Sequence, residues 1–197
     1  MEQSGHSGAY DGTQKLLAGA FQSVTTRTAG FAAIDQGAMR ESTRAVSIVL
    51  MLIGGSSGST AGGLKTVTVA VLLLASVASA RGQSHVRVFK RSISDRQVRD
   101  AMSITVIMLI LCFTGAVVLV ADSGLSFLNS LYETASALAT VGLTANVTPL
   151  LHLPSKLIII AFMYFGRVGI LTISLGFLMR DRAVERFRYA ETKLLIG

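Results

Sequence analysis

The apolar positions of this chain fall into three long runs and two short ones. The long runs lie at residues 38–80, 102–121 and 156–179, and the last two have the length of a membrane-spanning helix, about 20 residues. The short runs, residues 14–26 and 126–139, predict helices of about 18 Å, too short for a hydrocarbon core of about 30 Å. The pattern therefore predicts an all-α membrane protein in which two short helices enter the bilayer without crossing it. For residues 14–26, an amphipathic helix on the membrane surface fits equally well.

The longest apolar run is interrupted in its middle. Residues 54–66 form a glycine-rich stretch that is a poor helix, because each glycine costs about 1 kcal/mol relative to alanine. Residues 45–53 and 67–80 predict the two helical halves around it. Irregular backbone persists in a bilayer only where protein or a water-filled cavity surrounds it. The sequence therefore predicts a glycine-broken transmembrane helix beside a pathway, with these candidate loop residues: Gly54, Gly55, Gly58, Gly62, Gly63 and Lys65.

Two other interpretations of the glycine-rich stretch were compared with the broken helix. A nucleotide-binding P-loop needs a lysine directly after its second glycine, whereas Leu64 separates Gly63 from Lys65. Helix packing is the better alternative, because small residues recur at every fourth position from Gly54 onward, a spacing typical of close helix contacts in membranes.

Composition and charge support a membrane location. Of the 197 residues, 51% are apolar and 15% are charged, against about 25% charged residues in soluble domains. The net charge of +7 comes mostly from basic residues between and after apolar runs, which the positive-inside rule explains more simply than nucleic-acid binding. The rule predicts cytoplasmic positions for the basic loop, residues 81–101, and for the tail, residues 181–197. An enzyme is disfavoured, because no histidine, cysteine or paired carboxylates cluster at predicted membrane depth.

A short motif occurs twice in matching surroundings. Thr28-Ala29-Gly30 and Thr140-Val141-Gly142 each follow a short predicted helix and precede a long apolar run. Superposing Gly30 on Gly142 also aligns these flanking elements. Thr-x-Gly between membrane helices is typical of a backbone that turns its carbonyl groups toward an ion. The repeat predicts two re-entrant filter strands, half of a ring of four.

The repeat divides the chain into five segments. They are a flexible N-terminal segment, residues 1–13; a short helix, filter and broken helix, residues 14–80; the basic loop, residues 81–101; a complete unit of spanning helix, short helix, filter and spanning helix, residues 102–180; and the tail, residues 181–197.

Two cations fall at predicted membrane depth, Lys65 and Arg167. Both lie too far from the inner boundary for their side chains to reach it, so each should face protein or water. The repeat places Arg167 level with Gly55. We expect Arg167 to donate hydrogen bonds to carbonyl groups of the glycine loop and to hinder cations there. The alternative is a structural arginine that satisfies broken-helix carbonyls without any gating role.

Three stretches resemble the membrane subunit of the Trk/Ktr bacterial potassium-uptake systems. They are VTTRTAGF at residues 24–31, GGSSGSTAGGLK at residues 54–65 and FGRVG at residues 165–169. The resemblance implies a fold of helix–pore-loop–helix repeats, with residues 14–80 as an incomplete third repeat and residues 102–180 as the fourth. It also implies that the carbonyls at Thr28, Ala29 and Gly30, and at Thr140, Val141 and Gly142, bind potassium, and that residues 54–65 gate the path below.

The resemblance has further implications for function. It implies potassium uptake across the membrane of a bacterium, with potassium as the substrate and no cofactor on this chain. Cytosolic nucleotide-binding regulatory subunits are the expected partners, and a homodimer is the expected state of a full-length protein. The chain would then be a fragment whose missing repeats come from the remainder of the protein or from another polypeptide. The alternative is a non-conducting truncated protein that assembles with, or regulates, a longer homologue.

Overall fold

A computed structural model describes residues 12–56, 58–59, 61–83, 86–88 and 91–168 of the chain. The predicted tail, residues 181–197, and the end of the predicted last unit, residues 169–180, lie outside the described residues. Most of the predicted flexible segment, residues 1–13, also lies outside them. Its last two positions begin the first helix instead.

The described part of the chain is mostly helical. Its helices are α1 (Gly12–Thr25), α2 (Glu41–Leu52), α3 (Thr66–Ala80), α4 (Asp95–Ser123), α5 (Phe127–Leu138) and α6 (Leu153–Val168). Two three-residue 3-10 helices, Gln36–Ala38 and Thr148–Leu150, lie between them, and two short strands, β1 (Arg87–Val88) and β2 (Arg91–Ser92), pair antiparallel.

The basic loop differs from the sequence prediction in two ways. It contains the β1–β2 ladder, so the described chain is not purely α-helical. It also ends early, because α4 begins at Asp95 rather than at residue 102. The cause is a capping box: the Ser94 hydroxyl accepts a hydrogen bond from the Gln97 N–H, and the Gln97 side chain accepts one from the Ser94 N–H.

The core of the protein lies around α5. Residues 132–139 are all buried, and α5 packs against α2, α4 and α6. Small side chains allow this density. In α4, for example, a Cβ on Gly115 would lie 2.2 Å from the ring of Phe162 on α6, so these two helices approach more closely than any larger residue permits. The helix predicted to enter the membrane is therefore surrounded by other helices.

The internal repeat extends beyond the motif that suggested it. The offset that superposes Gly30 on Gly142 carries the 3-10 helix Gln36–Ala38 onto Thr148–Leu150. The same offset carries the first residue of α2, Glu41, onto the first residue of α6. Two copies of one unit thus occur in the described chain, each with a first helix, a return segment (residues 28–30 or 140–142), a 3-10 helix and a second helix.

Helix length separates α4 from the other helices. Among the described residues, α4 is the one helix long and apolar enough to span a bilayer, and α3 is a shorter apolar helix. Helix α2 ends at Leu52 and α3 begins at Thr66, and the described residues of the glycine-rich stretch between them are not helical.

Candidate functional site: two return segments and a glycine loop

The first Thr-x-Gly segment turns back directly after α1. The N–H groups of Ala29 and Gly30 both donate to the carbonyl of Thr25, the last residue of α1, at 3.2 and 3.1 Å. Thr28 has φ 65° and Gly30 has φ 74°, with no positive φ at Ala29 between them. Alternating signs of φ turn neighbouring peptide groups to one side of the chain. The N–H groups therefore face the helix end and leave the carbonyls available on the other side.

The second segment repeats this backbone. Val141 donates its N–H to the carbonyl of Ser136 at 2.9 Å, and Thr140 donates to Ala137 at 3.1 Å, both within the end of α5. Thr140 has φ 54° and Gly142 has φ 88°. The two segments thus share the same pattern of left-handed residues, and each donates two N–H groups to the end of the helix before it, although not from matching positions.

The left-handed threonines are unusual. A branched side chain at positive φ is a conformational outlier that costs about 1–2 kcal/mol. Among the described residues, positive φ outside glycine occurs at Thr28, Thr140 and Asn146, and two of these are the paired threonines. Such strain persists only where the surrounding structure enforces it, and it concentrates at functional sites.

The two segments approach each other with backbone against backbone. A Cβ added to Gly30 would lie 2.1 Å from the carbonyl oxygen of Val141, so no side chain fits at this position. Among the described residues, no N–H or O–H group donates to a carbonyl of Thr28, Ala29, Gly30, Thr140, Val141 or Gly142. The six carbonyls predicted to form a filter are therefore without hydrogen-bond donors in the described chain.

A buried network of amides holds the two copies together beside these segments. The Gln36 Oε1 atom accepts hydrogen bonds from the Gln22 side chain at 2.7 Å and from the Tyr132 hydroxyl at 2.9 Å. The Gln36 Nε2 atom donates to the carbonyl of Ile34 at 2.8 Å. Because Gln22 lies on α1 and Tyr132 on α5, Gln36 joins both short helices to the 3-10 helix that follows the first return segment.

A second set of contacts joins the chain after each return segment. The Asn146 amide donates to the Asp35 carboxylate at 2.6 Å. The Arg44 guanidinium, on α2, donates to the carbonyl of Met39 at 2.8 Å and also to the Asn129 side chain on α5. Both copies are thereby fixed at the end where the chain leaves the return segments.

The glycine loop folds back on itself instead of continuing a helix. Gly54 donates to the Leu64 carbonyl at 2.8 Å and Leu64 donates to the Leu52 carbonyl at 2.9 Å, which closes the loop where α2 ends. Gly54 is required here, because a Cβ on it would lie 2.1 Å from the carbonyl oxygen of Gly62. Gly54 and Gly62 thus contact each other inside a loop instead of lying along one helix, so the helix-packing interpretation of the glycine spacing is wrong.

The glycine loop touches the second return segment directly. The Gly62 N–H donates to the Thr140 hydroxyl at 3.1 Å. A Cβ on Gly62 would lie 2.4 Å from that hydroxyl oxygen and 2.6 Å from the carbonyl oxygen of Ala139. Three further glycines of the loop have their own constraints. Gly58 and Gly63 have positive φ, and a Cβ on Gly55 would lie 2.6 Å from the Ser59 hydroxyl.

Lys65 secures the glycine loop from within. Its Nζ atom donates to the carbonyls of Ser59 at 3.0 Å and Ala61 at 2.6 Å. This is the type of contact expected of Arg167, so sequence reasoning recognised the need for a cation but did not foresee this one. Arg167 lies in the last turn of α6 with an exposed side chain, and its contact with the loop stays a prediction.

Sequence reasoning missed a charged residue in the middle of the site. Glu133 lies on α5 and is buried, with Thr144, Ala145 and Thr148 donating hydrogen bonds to its carboxylate. The signal was available, because an acidic residue inside a short membrane helix is a functional candidate by default. The Gln36 network gave no comparable signal.

Comparison with known proteins identifies the class to which this helical fold belongs. Residues 1–186 match the family model TrkH, described as a cation transport protein. The chain is 39% identical over 192 residues to the potassium/sodium uptake protein NtpJ of Enterococcus hirae, which covers 94% of this chain and 42% of that protein. It is 39% identical over 183 residues to the Ktr system potassium uptake protein B of Bacillus subtilis, covering 93% of this chain and 41% of that protein.

A solved structure has the same fold. The potassium transporter TrkH from Vibrio parahaemolyticus superposes with a TM-score of 0.70 at 22% identity, over 90% of this chain and 39% of that one. The fold is thus that of a helical cation transporter. The chain belongs to the TrkH family, as the sequence resemblance predicted. It spans about two fifths of the length of these relatives.

The lysine inside the glycine loop yields the first prediction. In a chimera that carries this chain in place of the matching segment of the Bacillus subtilis relative (the Ktr chimera), Lys65→Met should loosen the loop. A hydrogen bond to a charged group contributes about 1.5–3 kcal/mol, so amide exchange of residues 54–64 should accelerate about tenfold or more. Exchange measured by mass spectrometry on the purified chimera tests this.

Lys156→Met is the matched control, because Lys156 is an exposed lysine on α6 away from the loop. It should leave exchange of residues 54–64 at the parental rate. Equal exchange in the parent and in Lys65→Met would contradict the role given to the lysine.

Proposed function

We propose that this chain supplies two filter strands and an intramembrane gating loop to a potassium-uptake pore. The observation that carries the proposal is the pair of Thr-x-Gly segments. Both have left-handed Thr and Gly residues, both commit N–H groups to the end of a short helix, and in both the carbonyls accept no hydrogen bond from a described residue. One relative is named a potassium/sodium uptake protein and another a potassium uptake protein.

Free carbonyl groups suit an alkali cation. A dehydrated potassium ion needs a ring of oxygens that replace its hydration shell, and backbone carbonyls supply such oxygens in known filters. The short helices add to the attraction, because α1 and α5 end beside the segments and helix C-termini carry partial negative charge. Two strands provide half of a ring of four, and the other strands come from other repeats. Transport then requires no chemical catalysis and no cofactor on this chain.

The glycine loop is well placed to act as a gate. It connects α2 and α3 where a continuous helix would otherwise run. The N–H of its Gly62 donates to the Thr140 hydroxyl in the proposed filter. Movement of a glycine-rich loop held mainly by Lys65 and a few backbone bonds requires little energy. Arg167 would bias the same loop through further hydrogen bonds. In this account α2, the loop and α3 form one broken transmembrane helix.

Location and partners follow from the same proposal. The chain would lie in the membrane of a bacterium with several spans, and α4 is one of them. The name of the Bacillus subtilis relative assigns it to a Ktr system, which supports an assembly of more than one component. We propose cytosolic nucleotide-binding regulatory subunits as the partners of the basic loop and a homodimer as the assembled state.

Substitution of the filter glycines tests the conduction proposal. In the Ktr chimera, Gly30→Ser should weaken discrimination between potassium and sodium more than Gly142→Ser does. A side chain at Gly30 would be strained by the positive φ of 74° and would also clash with the Val141 carbonyl. A side chain at Gly142 would be strained by the φ of 88° but would clash with no atom. Strain of about 1–2 kcal/mol corresponds to roughly a tenfold loss. Sodium competition of potassium uptake measures the effect.

The control variant is Gly82→Ser, in the turn after α3, where φ is +66° and no atom lies within 4 Å of the added Cβ. It has equal backbone strain away from the segments and should keep parental selectivity. If Gly30→Ser and Gly142→Ser also keep parental selectivity, the two segments are not the filter.

Shortening the glycine loop tests the gate. Deleting residues 56–61 in the Ktr chimera should raise potassium flux and leave selectivity intact, because the filter strands are unchanged. Arg167→Ala should shift flux in the same direction. The two changes together should be less than additive, since they act on one contact. Rubidium uptake rates, normalised to membrane abundance, give the comparison.

Ser56→Ala is the control, since the Ser56 side chain is exposed and the loop length is kept. If the deletion variant and Arg167→Ala both keep the parental potassium flux at normal membrane abundance, the loop has no gating role and contributes only to packing.

A further inference from the structure

One carboxylate is buried directly behind the second return segment. Glu133 lies on α5 and is 5% exposed. One of its oxygens accepts hydrogen bonds from the Ala145 N–H at 3.0 Å and from the Thr144 hydroxyl. Its other oxygen accepts one from the Thr148 hydroxyl at 2.9 Å. Three donors around one buried carboxylate offset the free energy lost when the group leaves water.

The segment that these donors belong to is held by side chains rather than by backbone pairing: Leu143, Ala145 and Val147 are buried, and the Asn146 amide donates to Asp35. Among the described residues, no N–H from positions 142–149 donates to a backbone carbonyl. Extended chain normally gains much of its order from such bonds. In the described part of the chain, Ala145 is the one position from 142 to 149 whose N–H donates a hydrogen bond, and its acceptor is the Glu133 carboxylate. This bond fixes the chain three residues after Gly142.

In the first copy, neutral side chains rather than a carboxylate hold the chain that follows the return segment. The position that the repeat matches to the carboxylate is Phe21, which is 42% exposed. Neutral amides act there instead: Gln36 is 2% exposed and is held by Gln22 and by Tyr132. The carboxylate clamp thus belongs to the second strand alone.

We propose that Glu133 is a positioning residue that sets the geometry of the second filter strand and thereby the ion preference of the pore. The proposal rests on the proposed function, since it assumes that Val141 and Gly142 present carbonyls to the ion. The carboxylate does not touch the ion. It acts through Thr144, Ala145 and Thr148, whose positions decide where the preceding carbonyls lie.

Two substitutions separate the hydrogen bonds from the charge. Glu133→Gln keeps one oxygen for Thr144 and Ala145, and its amide can donate to the Thr148 hydroxyl, which can in turn donate to the Thr144 hydroxyl 2.8 Å away. All four groups then remain paired without a charge. The methionine side chain of Glu133→Met is of similar length, but its sulfur is only a weak hydrogen-bond acceptor.

The experiment measures sodium competition of potassium uptake and amide exchange of residues 143–148 in the Ktr chimera. Glu133→Met should lower the preference for potassium about tenfold or more and accelerate exchange, the scale found when groups that orient ion ligands are removed, whereas Glu133→Gln retains most of both. Phe21→Met, at the matching position of the first copy, should behave as the parent. If Glu133→Met is absent from the membrane, Thr144→Val compared with Thr144→Ser makes the same test on one donor.

Three outcomes would overturn the proposal. Parental exchange in the variant that lacks the hydrogen bonds would mean that no clamp exists. Faster exchange with parental selectivity would mean that the clamp does not set the filter. An equal loss of selectivity in Glu133→Gln and Glu133→Met would assign the effect to charge. Failure of the proposed function itself is distinguishable, because it leaves selectivity unchanged in Gly30→Ser and Gly142→Ser.

Discussion

The close approach of Gly30 to the Val141 carbonyl is the constraint on which the rest of this structure depends. An added Cβ would lie 2.1 Å from that oxygen, so two stretches of bare backbone meet without a side chain between them. Backbone in this arrangement cannot stabilise itself, because its carbonyls are not paired with one another. The surrounding elements therefore have to hold each strand from behind. The buried Gln36 network does so for the first strand and the carboxylate of Glu133 for the second.

The close packing around α5 makes the hydrogen bonds of Gln36 and Glu133 rigid. The helix is buried along residues 132–139 and packs against α2, α4 and α6, so side chains that project from it have fixed positions. Tyr132 and Glu133 are neighbours on this helix. Tyr132 bonds Gln36 in the 3-10 helix after the first return segment, and Glu133 bonds Thr148 in the 3-10 helix after the second. The glycine loop reaches the same region through Gly62. The two return segments, the side chains behind them and the glycine loop thus belong to one packed unit.

Much of the fold could be predicted from sequence, because apolar length and glycine content are local properties. The short helices were placed within two residues of α1 and α5, and the break between α2 and α3 followed from helix propensity. The start of α4 was missed, because a capping box outweighs the charged residues that suggested a loop. Partners of charged groups were harder to predict. Lys65 bonds its own loop, and Glu133 bonds residues that follow it by more than ten positions in an irregular segment, where no periodicity indicates which side chains meet.

The central claim is that an ion is coordinated directly by the carbonyls of the two Thr-x-Gly segments. A crystal structure of the Ktr chimera soaked in thallium, a heavy substitute for potassium, tests it through anomalous scattering. The account predicts an anomalous peak in direct contact with the carbonyl oxygens of Val141 and of the first segment near Gly30, and loss of that peak on exchange into sodium. Strong thallium peaks elsewhere on the protein, with none at these carbonyls, would contradict it.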